Sequence, residues 1–122
     1  MLEPIVLLVD DEAPFVDTMT KRLTKRKLTV FKSYSGEEAL ETLKENSHID
    51  LVILDMKMPY NGCTTFLKLK QINADVKVLI ASGYAQDQQI RDMMAQGCSG
   101  FILKPFRINE LSQTILDILK DY

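Results

Sequence analysis

The chain predicts an α/β fold in which a parallel sheet is covered by helices on both faces, and three observations carry that prediction. Ile5-Val6-Leu7-Leu8-Val9 and Leu51-Val52-Ile53-Leu54 are uninterrupted apolar runs rich in β-branched residues, as expected of strands buried on both sides. Five such strand-like segments alternate with five amphipathic stretches of helical spacing. The two longest runs each stop at a carboxylate followed by a turn, which places those acids at the carboxyl edge of a sheet, where open α/β folds keep their sites.

In chain order, the first strand ends in Asp10-Asp11-Glu12, and Pro14 suits the first turn of a helix. Phe15, Val16, Met19 and Leu23 then recur at helical spacing to about Arg26. Leu28 to Ser33 reads as a second strand. Ser35-Gly36-Glu37-Glu38 reads as a capping box, with Ser35 the cap and Glu38 reaching back, ahead of a stripe of Ala39, Leu40 and Leu43. That helix ends near Asn46-Ser47. The third strand closes at Asp55, and Pro59, Asn61 and Gly62 turn the chain. A third helix carries Phe66, Leu67, Leu69 and Ile72. Val76 to Ala81 is the fourth strand, closed by Ser82-Gly83. The fourth helix runs from about Asp87 to Gln96 with Ile90, Met93 and Met94, and Gly97 fits a left-handed C-cap. Phe101-Ile102-Leu103 is a short fifth strand ending in Lys104-Pro105. The last helix sets Ile108, Leu111, Ile115 and Ile118 on one face and runs nearly to Tyr122.

With 122 residues the chain is expected to be one domain, residues 1–122, large enough to bury roughly two thirds of its unfolded surface. A net charge of -2 argues against nucleic acid as the main partner. No apolar segment approaches the ~20 residues of a membrane span, and the amino terminus has no secretory-signal pattern. Cys63 and Cys98 form no Cys-x-x-Cys pair and read as reduced thiols of a cytoplasmic protein. The basic cluster Lys21-Arg22 with Lys25-Arg26-Lys27 reads as a solvated helix face, and His48 as a surface or loop-packing residue.

In a parallel sheet all strand ends meet one rim, so Asp10, Asp11, Asp55, Ser82 and Lys104 are predicted to gather there. Three carboxylates repel unless cations intervene, and Lys104 supplies one charge. A divalent ion of oxygen preference, Mg²⁺ foremost, would supply the rest. A metal and a lysine beside an aspartate suit a phosphoryl group in transit, with Asp55 as nucleophile and Asp10 and Asp11 as metal holders. The first strand is not followed by a glycine-rich phosphate loop, which removes the nucleotide-binding readings of such folds.

Val9-Asp10-Asp11-Glu12, Leu54-Asp55-Met56-Lys57-Met58-Pro59 with Gly62, Ser82-Gly83-Tyr84-Ala85, and Phe101-Ile102-Leu103-Lys104-Pro105-Phe106 together resemble the receiver (phosphoacceptor) domain of bacterial two-component response regulators. The resemblance spans essentially the whole chain. It implies a flavodoxin-like (βα)5 sheet of strand order 2-1-3-4-5 and phosphotransfer from a phosphohistidine to Asp55. It also implies Mg²⁺, with Mn²⁺ as a substitute, held directly by Asp11 and Asp55, through water by Asp10, and by the backbone carbonyl of Lys57. Lys104 would pair with the phosphoryl oxygens, and its bond to Pro105 would be cis. Ser82 would be the switch hydroxyl with the Gly83 amide nearby, and Phe101 the switch aromatic that turns inward when Ser82 moves.

The implied partners are a sensor histidine kinase or histidine phosphotransfer protein, docking at the first helix. An output domain, target protein or second copy would use the face of the fourth helix, fifth strand and fifth helix. Neither nucleic acid nor membrane is expected to bind this domain directly. The receiver could be part of a longer regulator or hybrid sensor kinase. The chain departs from the family pattern in having Phe101 in place of tyrosine, and in Arg107 at the start of the last helix, where Asn109 is the expected cap instead. Cys98-Ser99-Gly100-Phe101 also replaces the Asp-Asp-Tyr run of winged-helix regulators. Lys57 and Tyr84, each two residues past a site residue, are expected to rim the phosphoryl group and slow its hydrolysis. Two other readings use the same residues: a Mg²⁺-dependent phosphohydrolase with an aspartyl-phosphate intermediate, and a degenerate receiver that binds partners without phosphorylation.

Overall fold

The computed structural model describes residues 3–56, 62–83 and 88–120, with the side chains at 62, 63, 89 and 90 outside that description. Five strands, β1 (Ile5–Val9), β2 (Thr29–Ser33), β3 (Leu51–Asp55), β4 (Lys77–Ser82) and β5 (Gly100–Leu103), pair in parallel in the order β2-β1-β3-β4-β5. Five helices, α1 (Ala13–Thr24), α2 (Gly36–Glu45), α3 (Gly62–Ile72), α4 (Gln88–Ala95) and α5 (Ile108–Lys120), alternate with them. This is the flavodoxin-like arrangement expected from the sequence.

Strand residues alternate between faces, so each continuous apolar run feeds two cores. Leu7, Val9, Val52, Leu54, Val78 and Ile80 pack under α2, α3 and α4 with Ala39, Leu43, Phe66, Leu69 and Met93. Val6, Leu8, Leu51, Ile53, Leu79 and Ala81 pack under α1 and α5 with Val16, Met19, Leu23, Leu111 and Ile115. The sandwich holds α1 and α5 on the same face.

Local chemistry refines several boundaries. The first helix stops at Thr24, two residues short of the expected Arg26, and Lys27 adopts a left-handed conformation (φ 65°) that turns the chain into β2. The basic residues Lys21, Arg22, Lys25, Arg26 and Lys27 are exposed, and their charges face the carbonyl end of the helix dipole. The Ser35 hydroxyl accepts from the Glu38 amide at 3.1 Å, but Glu38 reaches back to the Tyr34 amide (3.1 Å) rather than to that of its cap. The fourth strand begins at Lys77 and ends at Ser82, one residue later than expected; Val76 is buried before the ladder begins. In α3, Leu67 faces solvent while Phe66 and Leu69 are buried. Gly97 takes the expected left-handed cap (φ 101°). Asn109 does not cap α5: it lies inside the helix, its side-chain oxygen accepting from Arg26 at 2.6 Å, while the Arg107 carbonyl starts the helix by accepting from the Leu111 amide.

No helix among the described residues is long and apolar enough to cross a membrane. Cys98 is a free, buried thiol whose Sγ lies 3.1 Å from the Gly100 carbonyl, and burial pushes its pKa up. His48 is exposed.

Candidate functional site

Parallel strands converge at the carboxyl rim, and there the side chains meet. Asp10 follows β1 directly, Asp55 ends β3, Ser82 ends β4 and Lys104 follows β5. Backbone hydrogen bonds continue past or across these strand ends. The Asp10 amide donates to the Ser33 carbonyl (3.1 Å), Met56 to Ala81 (3.0 Å) and Lys104 to Ser82 (2.8 Å). The site residues therefore start from backbone that is fixed by the sheet.

Asp10, Asp55 and Ser82 are each buried, whereas Asp11 is exposed. One oxygen of Asp10 accepts from the Glu12 amide at 2.9 Å, which orients the carboxylate at the head of α1. The other receives the Lys104 ammonium at 2.8 Å, and the same ammonium lies 3.3 Å from Oδ1 of Asp55. Lys104 thus bridges two buried acids from separate strands. Burial alone would push the Lys104 ammonium down; the hydrogen bond from Lys104 to Asp10 and the charges of Asp55 and Asp10 outweigh it and hold its pKa above the usual lysine value.

Oxygens of Asp10, Asp11 and Asp55 all lie within 4.8 Å of one another. Among the described residues, three carboxylates meet the Lys104 ammonium at this rim. Such an all-oxygen set fits a hard divalent cation, with the exposed Asp11 giving access from solvent. The expected contribution of the Lys57 carbonyl lies outside the described residues, as do Tyr84 and the turn at Pro59 and Asn61.

Other expected site residues are found at the rim or beside it. Ser82 pairs in register with Leu103, one position beyond the pairing of Asp55 with Ala81. Gly83 follows on the exposed surface. Phe101 pairs with Ile80 and is 39% exposed. The Lys104–Pro105 peptide bond is cis.

In the sequence Phe15 stands out only as part of a helical stripe. In the folded chain its ring lies under the Lys104 ammonium, 5.1 Å from Nζ to centroid, and meets the Phe106 ring edge-on at 5.9 Å and 72°. The available signal was an aromatic residue four positions past Asp11 and another two past Lys104, but their meeting depends on the packing of α1 beside α5.

Comparison with known proteins gives a consistent result. The family described as response regulator receiver domain matches residues 6–116. Sensor kinase CckA of Brucella abortus is 36% identical over 117 residues, covering 94% of this chain but 12% of that protein. The chemotaxis protein CheY of Bacillus subtilis is 31% identical over 112 residues, covering 89% of this chain and 92% of CheY. Among solved structures, a response regulator receiver domain protein from Clostridium thermocellum superposes with a TM-score of 0.90 at 28% identity, over 96% of this chain and 94% of that one. The non-phosphorylated HemR receiver domain from Leptospira biflexa gives 0.88 at 27%, over 98% and 97%.

Proposed function

The chain belongs to the response regulator receiver domain family, and from that membership we propose that it is a phosphorylation-dependent switch with Asp55 as its phosphoacceptor. The observation that carries this assignment is the Lys104 ammonium bridging Asp10 and Asp55, two buried acids at the ends of separate strands. In the proposed step an oxygen of Asp55 attacks the phosphorus of a phosphohistidine on a sensor histidine kinase or phosphotransfer protein. The new P–O bond forms as the P–N bond breaks, and the imidazole nitrogen leaves with the electron pair and takes up a proton.

Lys104 supplies positive charge beside the attacking carboxylate, and Asp10 keeps Lys104 there. Asp10, Asp11 and Asp55, with the Lys57 carbonyl, would hold Mg²⁺ or Mn²⁺. When bound, the ion adds positive charge for the phosphoryl oxygens. Ser82 and the Gly83 amide would take a phosphoryl oxygen, and Phe101 would turn inward as Ser82 moves. The resulting change is a shift between two populations of the domain.

The output face would be that of α4, β5 and α5. Met94, Phe101 and Leu103, all between 39% and 42% exposed, support it as the surface for an output domain, a target protein or a second copy. Lys57 and Tyr84 would restrict the hydrolytic water, so replacing both with alanine should speed loss of the phosphoryl group; unchanged or slower decay would remove that role.

Incubation with Mg²⁺ and acetyl phosphate, read by intact mass, tests the central assignment. A labile phosphoryl adduct on the wild type that is missing from Asp55→Asn is the expected result. Multiple turnover of varied phosphoesters would point to a hydrolase instead, and no adduct would point to a phosphorylation-independent binding module.

A further inference from the structure

The Lys104 ammonium has three N–H directions. Two are used by Asp10 at 2.8 Å and Asp55 at 3.3 Å, while the Phe15 ring lies 5.1 Å away. An ammonium within about 6 Å of an aromatic centroid is attracted to the negative face of the ring. Phe15 is itself steadied by Phe106, whose ring meets it edge-on. Phe106 is two residues beyond Lys104, so the same loop carries the cation and the ring that steadies its aromatic partner.

We propose that Phe15 is a positioning residue for phosphotransfer, its ring face holding the Lys104 ammonium in the bridge between Asp10 and Asp55. The lysine side chain is 21% exposed, so it has an outlet to solvent. A flexible four-carbon stem in such a place would divide its time between the bridge, Asp10 alone and water. The ring makes the bridge the favoured position. It touches neither the phosphoryl group nor Asp55 in this role, and acts through Lys104.

The inference rests on Asp55 being the phosphoacceptor, and the experiment separates the two. Fluorinated phenylalanines at position 15 weaken the ring face in steps at nearly constant shape, while Phe15→Leu removes it and Phe15→Tyr keeps it. The rate of adduct formation from acetyl phosphate should fall stepwise with fluorination, by about threefold to tenfold in total. Phe15→Tyr should retain the rate and Phe15→Leu should not. In a Lys104→Ala background the fluorination series should be flat.

A second measurement is independent of phosphotransfer. The ring current of Phe15 should move the Lys104 ε-methylene protons upfield in the NMR spectrum, and Phe15→Leu should abolish that displacement. Ordinary ε-proton positions in the wild type overturn the inference even if no adduct ever forms. A flat fluorination series with a normal wild-type adduct, or an equal decline without Lys104, overturns it while leaving Asp55 as acceptor.

Discussion

Strands β3 and β5 bring opposite charges to the same site from unlike surroundings. Every residue of β3, Asp55 included, is buried, and the strand lies at the centre of the sheet. β5 is an edge strand with Ile102 as its one buried residue, yet it leads directly into Lys104. The acid is fixed by the packing of its strand. The lysine is fixed by what its tip touches: Asp10, Asp55 and the ring of Phe15. Two ways of placing a charge follow, one global and one local, and they fail differently.

Removing core from β3 should give the largest effect. Leu54→Ala is expected to cost about 2–5 kcal/mol, since Leu54 is fully buried and its neighbours can close the cavity only in part. Urea unfolding at constant m-value checks it. If the loss is far smaller, the acid is not fixed by its strand in the way described.

Lys104→Met tests the local device. It removes the ammonium that pairs with Asp10 and Asp55, so the metal-free variant should unfold at lower urea than the wild type. Added Mg²⁺ should stabilise the variant more than the wild type, because it answers the same carboxylates. The sign of the pH dependence follows from the raised Lys104 pKa. Its stabilising contribution is complete below the ordinary lysine value of 10.5 and is lost as pH rises through the folded-state value above it. The alkaline limb of stability should therefore be shallower in Lys104→Met, and an unchanged limb would remove the ion pairs from the account.

Gly36→Ala should cost about 1–2 kcal/mol, because an added Cβ would lie 2.7 Å from the Thr65 hydroxyl, a buried and rotamerically stiff side chain. Unchanged stability would mean that α2 and α3 can part without strain. The smallest effect is expected on β5. Phe101→Ala should change stability by less than about 1 kcal/mol, as the ring is already partly in water. A loss comparable to that of Leu54→Ala would erase the contrast between the two strands.

The same contrast explains what could be read before the fold was known. The continuous runs at Ile5–Val9 and Leu51–Leu54 announce buried strands, and parallel pairing alone sends Asp10, Asp55, Ser82 and Lys104 to one rim. Periodicity cannot say which ring lies beside Lys104, because Phe15 is 89 residues away in the chain by the numbering and reaches it through helix packing. Small offsets arose where side chains compete with backbone. Glu38 found the Tyr34 amide, Lys27 took a left-handed turn without being glycine, and Asn109 engaged Arg26 instead of a helix end. Val76 is as buried as a strand residue, so burial alone misplaced the start of β4 by one position.

The hydrogen bonds at the strand ends have a kinetic meaning. The amides of Asp10, Met56 and Lys104 are tied to carbonyls of neighbouring strands, so their protons should exchange with deuterium only when the sheet itself opens. A rim protected in this way has lost its backbone entropy already at folding. Slow exchange at these three amides would mark the part of the site whose backbone stays still during phosphoryl transfer.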